Sequence, residues 1–184
     1  MTYAEICSSV EQLKKKYGES DPIKLCQLMG ITVLYQSLGT SPDAIKGFFF
    51  EKCRIRTITI NSDLPFVIQR IIAAHELCHA IHHRKLGINA FHDVALFDYT
   101  SFTEQEAHLF SAELLLDDED VIEALNQDTT FFSAAAMLNV PAELLDFKFR
   151  VMKWKGYKIG EVPITTKNKF LANMHIPVNA DYGC

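Results

Sequence analysis

His75, Glu76 and His79 are the residues of this chain whose types and spacing are best suited to chemistry. Two histidines four positions apart lie about one turn apart on the same side of a helix, so both imidazoles can close on one divalent ion. Glu76 stands roughly 100° round such a helix from His75. From there its carboxylate can take a proton from water held beside the ion. This chemistry needs a helix, and the surrounding residues encode one. Asn61-Ser62-Asp63 offers an N-cap, and Pro65 suits a first helical turn. Ile68, Ile71, Ile72, His75, His79 and Leu86 then fall on one face, and Gly87 is a natural stop.

The stretch His75-Glu76-Leu77-Cys78-His79 has the H-E-x-x-H form found in zinc peptidases. A catalytic zinc site usually has three protein ligands and one open position, so a third ligand must come from elsewhere. The candidates are His82, His83, His92, Asp93, Glu104, Glu106, His108 and Glu113. On a helix over residues 103–116, Phe102, Phe110 and Glu113 lie within about 40° of Glu106, while Glu104 and His108 point nearly opposite. Glu106 therefore projects from the apolar face, where a carboxylate needs a partner or a metal. It is the expected third ligand. Glu113, two turns on, is the alternative, or a hydrogen-bond partner for a motif histidine. His82 is expected to line the cleft and His83 to be exposed. Tyr99 or His92, in the loop between the two helices, could donate to an oxyanion. Cys78 reads as a small buried apolar residue.

Several elements must position these side chains. Tyr3, Ile6, Cys7, Val10, Leu13 and Tyr17 recur at helical spacing before Gly18. Lys14-Lys15-Lys16 forms a solvated face near that helix's C-terminus, where positive charge is favoured. Asp21-Pro22 opens a short helix to Met29, stopped by Gly30. The pattern then changes to strands over 31–35, 45–50 and 54–60, with a turn around Glu51-Lys52-Cys53. These predict an antiparallel sheet of about three strands just before the motif helix. The edge over Arg54–Ile60 could pair with an extended substrate. Phe48-Phe49-Phe50 reads as core. Further helices are expected near 103–116, 118–126, 130–139 and 142–155. Beyond Gly156 the chain reads as irregular.

A length of 184 residues suits one domain with a real core. The composition, 48% apolar and 22% charged, is that of an ordinary globular protein. A net charge of −5 argues against a general nucleic-acid binder. Cys7, Cys26, Cys53, Cys78 and Cys184 are odd in number and none are at C-x-x-C spacing, so they read as reduced thiols. No signal peptide and no membrane span are visible, which predicts a cytoplasmic protein.

The order of parts resembles the ImmA/IrrE family of metallopeptidases. A short helical segment and a small hairpin sheet precede Ile71-Ile72-Ala73-Ala74-His75-Glu76-Leu77-Cys78-His79-Ala80. The run Glu104-Gln105-Glu106-Ala107-His108-Leu109-Phe110-Ser111-Ala112-Glu113-Leu114-Leu115 follows. The resemblance covers roughly residues 1–155. It implies an α+β, zincin-like single domain, with a metallopeptidase domain over 1–160 and an irregular tail over 161–184. It further implies zinc on His75, His79 and Glu106, with Glu76 as general base and other divalent metals as alternatives. The substrates it implies are helix-turn-helix repressors. Two positions depart from the family pattern: His108 stands where Asn is common, and Leu116-Asp117 replaces Met-Pro.

Two rival readings remain. The segments 130–139 and 142–155, with Lys148, Arg150, Lys153 and Lys155, could mimic a helix-turn-helix on DNA. Their apolar residues and the acidic chain speak against it. Alternatively, the protein could bind metal and act on a repressor or antitoxin by grip alone, without proteolysis.

Overall fold

The computed structural model describes residues 1–83, 101–126 and 130–160. Helix α1 (Tyr3–Tyr17) starts at a capping box between Thr2 and Glu5 and ends at Gly18, whose φ of 61° is left-handed. Helix α2 (Pro22–Leu28) is capped by Asp21, whose Oδ1 accepts from the backbone of Ile23 and Lys24 at 3.0 Å each.

Strands β1 (Thr32–Gln36), β2 (Gly47–Lys52) and β3 (Ile55–Asn61) form one sheet in the order β1-β3-β2. The β2–β3 hairpin turns on Cys53 and Arg54, both at positive φ, the conformation a two-residue hairpin loop requires. Three strands were expected, all antiparallel, but the sheet is mixed. β1 runs parallel to β3, from Thr32 opposite Thr57 to Gln36 opposite Asn61. The cause lies in residues 37–46, which cross over the end of β3 instead of folding β1 back on β2. Buried Asn61 anchors that crossing. Its amide nitrogen donates to the carbonyls of Gly39 and Ile45 at 2.8 and 2.9 Å. Its Oδ1 accepts from the backbone of Leu38 and Asp63 at 3.3 and 3.0 Å. Asn61 is thus not a helix cap. The next helix begins at Pro65 with no side-chain cap. The mixed order also removes the expected docking edge. β3 is the central strand, paired on both sides, so only β1 or β2 could accept an added strand.

Helix α3 (Phe66–His82) carries the H-E-x-x-H motif. Every residue from Ile71 to Ala80 is buried. The sheet covers one side: a Cβ added to Gly47 of β2 would stand 2.3 Å from Ile72 Cγ2 and 2.9 Å from the Thr59 carbonyl. Only a glycine lets the strand lie that close to the helix. Helices α2 and α4 (Phe102–Leu115) cover other sides. Leu25, Ile58, Ile60, Ile72, Leu77 and Phe110 form the core between these layers. A second core, built on Val121, Leu144, Leu145 and Phe147, joins α4 to α5 (Asp118–Leu125), α6 (Phe131–Met137) and α7 (Ala142–Trp154). Of the Phe48-Phe49-Phe50 run, Phe49 is buried, whereas Phe50 is 36% exposed, as strand alternation dictates. Among the described residues no helix is long and apolar enough to cross a membrane. Cys7, Cys26, Cys53 and Cys78 are free thiols, and burial pushes Cys26 up to about 12. The expectations for Leu86, Gly87, His92, Asp93, Tyr99, Cys184 and the tail 161–184 lie outside the described residues.

The cations that would have served a DNA-reading helix are mostly engaged within the protein. Lys148 has a side chain only 1% exposed and bonds Glu113 Oε2 at 2.7 Å and Asp118 Oδ1 at 2.6 Å. Lys155 bonds the same two carboxylates at 2.7 and 2.8 Å. Arg150 pairs with Asp146 one turn back at 2.6 Å. These contacts also occupy Glu113, the alternative third ligand, on the α7 side of α4.

Candidate metal centre

The helical spacing of His75 and His79 brings their rings to 4.8 Å centroid to centroid, with the two Nε2 atoms 3.0 Å apart. The carboxylate facing both of them is Glu104. Its Oε2 lies 3.0 Å from His75 Nε2 and its Oε1 3.5 Å from His79 Nε2. All three side chains are buried, at 2%, 0% and 6% exposure. Burial pushes the Glu104 carboxyl up, but the hydrogen bonds and charges of His75 and His79 outweigh it and hold it well below the usual carboxylate range. Glu104 also sits in the first turn of α4, where the helix dipole favours negative charge.

These distances suit a cation. With bonds of about 2.0–2.2 Å to a tetrahedral ion, ligand atoms stand about 3.3–3.6 Å apart. Two imidazole nitrogens facing each other across a carboxylate need a shared proton or a cation between them. His108 borders the same place. It is 1% exposed, its ring lies 4.6 Å from that of His75 and 4.9 Å from that of Phe147, and one of its nitrogens is within 4.8 Å of ligand atoms of His75 and Glu104. Glu76 is 1% exposed and adjoins His75 on the same helix.

Glu106, expected beside the two histidines, is not among these atoms. Its Oε2 is 2.9 Å from His83 Nε2, and its Oε1 accepts from the amino group of Met1. Glu104 and His108, expected in solvent, are interior. The reason lies in how α4 is buried. Phe102, used to set the apolar face, is 85% exposed. The face that meets α3 is instead Glu104, Ala107, His108 and Ser111, at spacings of three, four and seven. Small Ala107 and Ser111 let the helices approach, and Ser111 satisfies its hydroxyl on the Ala107 carbonyl at 2.8 Å. That run of small residues was the available signal for Glu104. His83, also expected in solvent, is 8% exposed, with Nδ1 2.8 Å from His79 Nδ1. Burial, then the neighbouring His79 and His82, push its pKa down to about 4. His82 faces α1 and bonds Ser9 Oγ at 2.8 Å.

Residues 26–150, which span the sheet, the motif helix and α4, match the peptidase family described as the IrrE N-terminal-like domain. The chain belongs to that family. This IrrE-like chain is also 34% identical over 146 residues to the "Uncharacterized immunity region protein 2" of Bacillus phage phi105, covering 79% of the chain and 90% of the relative. It is 30% identical over 143 residues to the "Metallopeptidase ImmA" of Bacillus subtilis (strain 168), covering 76% of the chain and 80% of that protein. The family and the ImmA relative support a metallopeptidase of the IrrE-like type, and His75, Glu104 and His108 form a buried group that could hold a metal.

Proposed function

We propose that the protein is a zinc-dependent endopeptidase that cuts a helix-turn-helix transcriptional repressor in the cytoplasm. In this reading residues 1–160 form the catalytic domain and 161–184 an appended tail. His75, His79 and Glu104 hold the ion, and Glu76 is the general base. The observation that carries the reading is the convergence of His75 Nε2, His79 Nε2 and the Glu104 carboxylate within 3.0–3.5 Å of one another. A zinc ion bound there would supply Lewis acidity, lowering the pKa of water to about 7 and polarising a carbonyl. The chain's own residues do the rest. Glu76 takes the proton of the attacking water and delivers it to the amine nitrogen as the peptide C–N bond breaks. His108, wedged between His75 and Phe147, borders the ligand set. The phage immunity-region relative and the family resemblance support a repressor as the substrate.

The test uses the purified full chain, zinc, and the helix-turn-helix protein encoded beside its gene. The expected result is two fragments, found by mass spectrometry, that disappear when a chelator is added. An intact complex that forms equally with and without zinc would replace the peptidase reading with that of a binding protein.

A further inference from the structure

We propose that His83 and Glu106 form a positioning relay that fixes which nitrogen of His79 faces the metal site. The proposal rests on the reading of His75, His79 and Glu104 as ligands. Its basis is the hydrogen-bond chain behind His79: His79 Nδ1 to His83 Nδ1 at 2.8 Å, and His83 Nε2 to Glu106 Oε2 at 2.9 Å.

The chemistry of the groups fixes the direction of each bond. An ionised carboxylate only accepts, so the His83 Nε2–H donates to Glu106. With its ring hydrogen placed on Nε2 by the carboxylate, His83 offers Nδ1 as an acceptor. The hydrogen between the two rings must then sit on His79 Nδ1 and point at His83. His79 Nε2 is left with a lone pair, aimed at His75 and Glu104. That tautomer is the one a metal ligand needs, and a carboxylate behind the histidine also raises its basicity. In most such pairs the carboxylate touches the ligand ring directly. Here a second imidazole is inserted, and His83 falls one turn after His79 as His79 falls one turn after His75. The three histidines thus share one face of α3, and Glu106 closes the row from α4. Glu106 and Glu104, on nearly opposite sides of one helix turn, serve the two ends of the same array. Both buried rings of the relay sit close, with centroids 4.9 Å apart, so neither can flip without displacing the other.

The experiment measures zinc affinity of the full chain by competition with a chromophoric chelator, together with the visible spectrum of the cobalt-loaded protein. Glu106→Ala and His83→Ala are each expected to weaken zinc binding about 10- to 100-fold. Glu106→Gln, which still offers an oxygen to His83 Nε2–H, is expected to recover most of that loss. His79→Ala and Glu104→Ala are expected to lose the bound ion altogether. Melting of the metal-free proteins checks that folding is preserved. Wild-type affinity in both Glu106→Ala and His83→Ala, with metal lost in His79→Ala, would overturn the relay and leave the metal site standing. Complete loss in Glu106→Ala with retention in Glu104→Ala would make Glu106 a ligand and overturn the relay. Failure of the wild-type protein to bind zinc would overturn both.

Discussion

Glu76→Gln is expected to slow repressor cleavage about 10²–10⁴-fold, the usual contribution of a general base, while zinc stays bound at one ion per chain. The split between the two readouts follows from the positions of the groups. Glu76 adjoins His75 in sequence but is turned about 100° round α3 from it, so it stands beside the ligand set rather than in it. Gln keeps the shape and loses the proton-accepting oxygen charge. His79→Ala, by contrast, is expected to lose both zinc and cleavage. Stopped assays with the repressor, alongside metal analysis of the same samples, separate the cases. An undiminished rate in Glu76→Gln would mean that another group takes the proton.

Lys148→Ala is expected to destabilise the fold by about 3 kcal/mol, at the lower end of the range for breaking a buried ion pair. The side chain is 1% exposed and bonds two carboxylates, Glu113 and Asp118. Its removal leaves those carboxylates in a desolvated place among α4, α5 and α7. Lys155 still reaches both, which keeps the loss from being larger. Lys155→Ala removes a more exposed cation, 23% by side chain, and is expected to cost about 1 kcal/mol or less. For a chain of this size about 3 kcal/mol lowers the melting temperature by about 6–12 °C. Equal losses for the two variants would contradict the burial argument.

The same cluster sets a pH dependence. Burial raises the Asp118 carboxyl, but hydrogen bonds and charges from Lys148 and Lys155 more than offset this and hold it below its usual value. Its contribution to stability is therefore present above the unfolded value of about 3.9 and is lost as pH falls through the lower folded value. Burial lowers the Lys155 amine, but Asp118 and Glu113 outweigh it and raise it above its usual value. That contribution is complete below about 10.4 and is lost only as pH rises through the higher folded value. Between these limits the cluster's contribution is flat.

Local signals in the sequence suffice where one residue decides an element. Gly18 ends α1 and Asp21 caps α2, each through its own backbone or side-chain geometry. The positions of the helices through α7 also follow from the apolar period. What stayed hidden depends on contacts between distant segments. The parallel pairing of β1 with β3 turns on Asn61 holding residues 37–46, and nothing local to β1 encodes it. The apolar pattern points to Glu106 where the structure brings Glu104 to the histidines, because α4 is buried on several sides and its largest apolar residues do not mark the face toward α3. Phe102 pointed the wrong way, and Ala107 and Ser111 marked the right one. His83 was missed because a histidine just past a motif reads as surface until its partner, Glu106, is brought up from another helix.

The most direct check is anomalous diffraction at the zinc edge from crystals of the zinc-loaded protein. The expected result is a single strong peak within bonding distance of His75 Nε2, His79 Nε2 and a Glu104 oxygen, with Glu106 bonded to His83 and away from the ion. A peak coordinated by Glu106, or by His75, Glu104 and His108 without His79, would contradict that assignment.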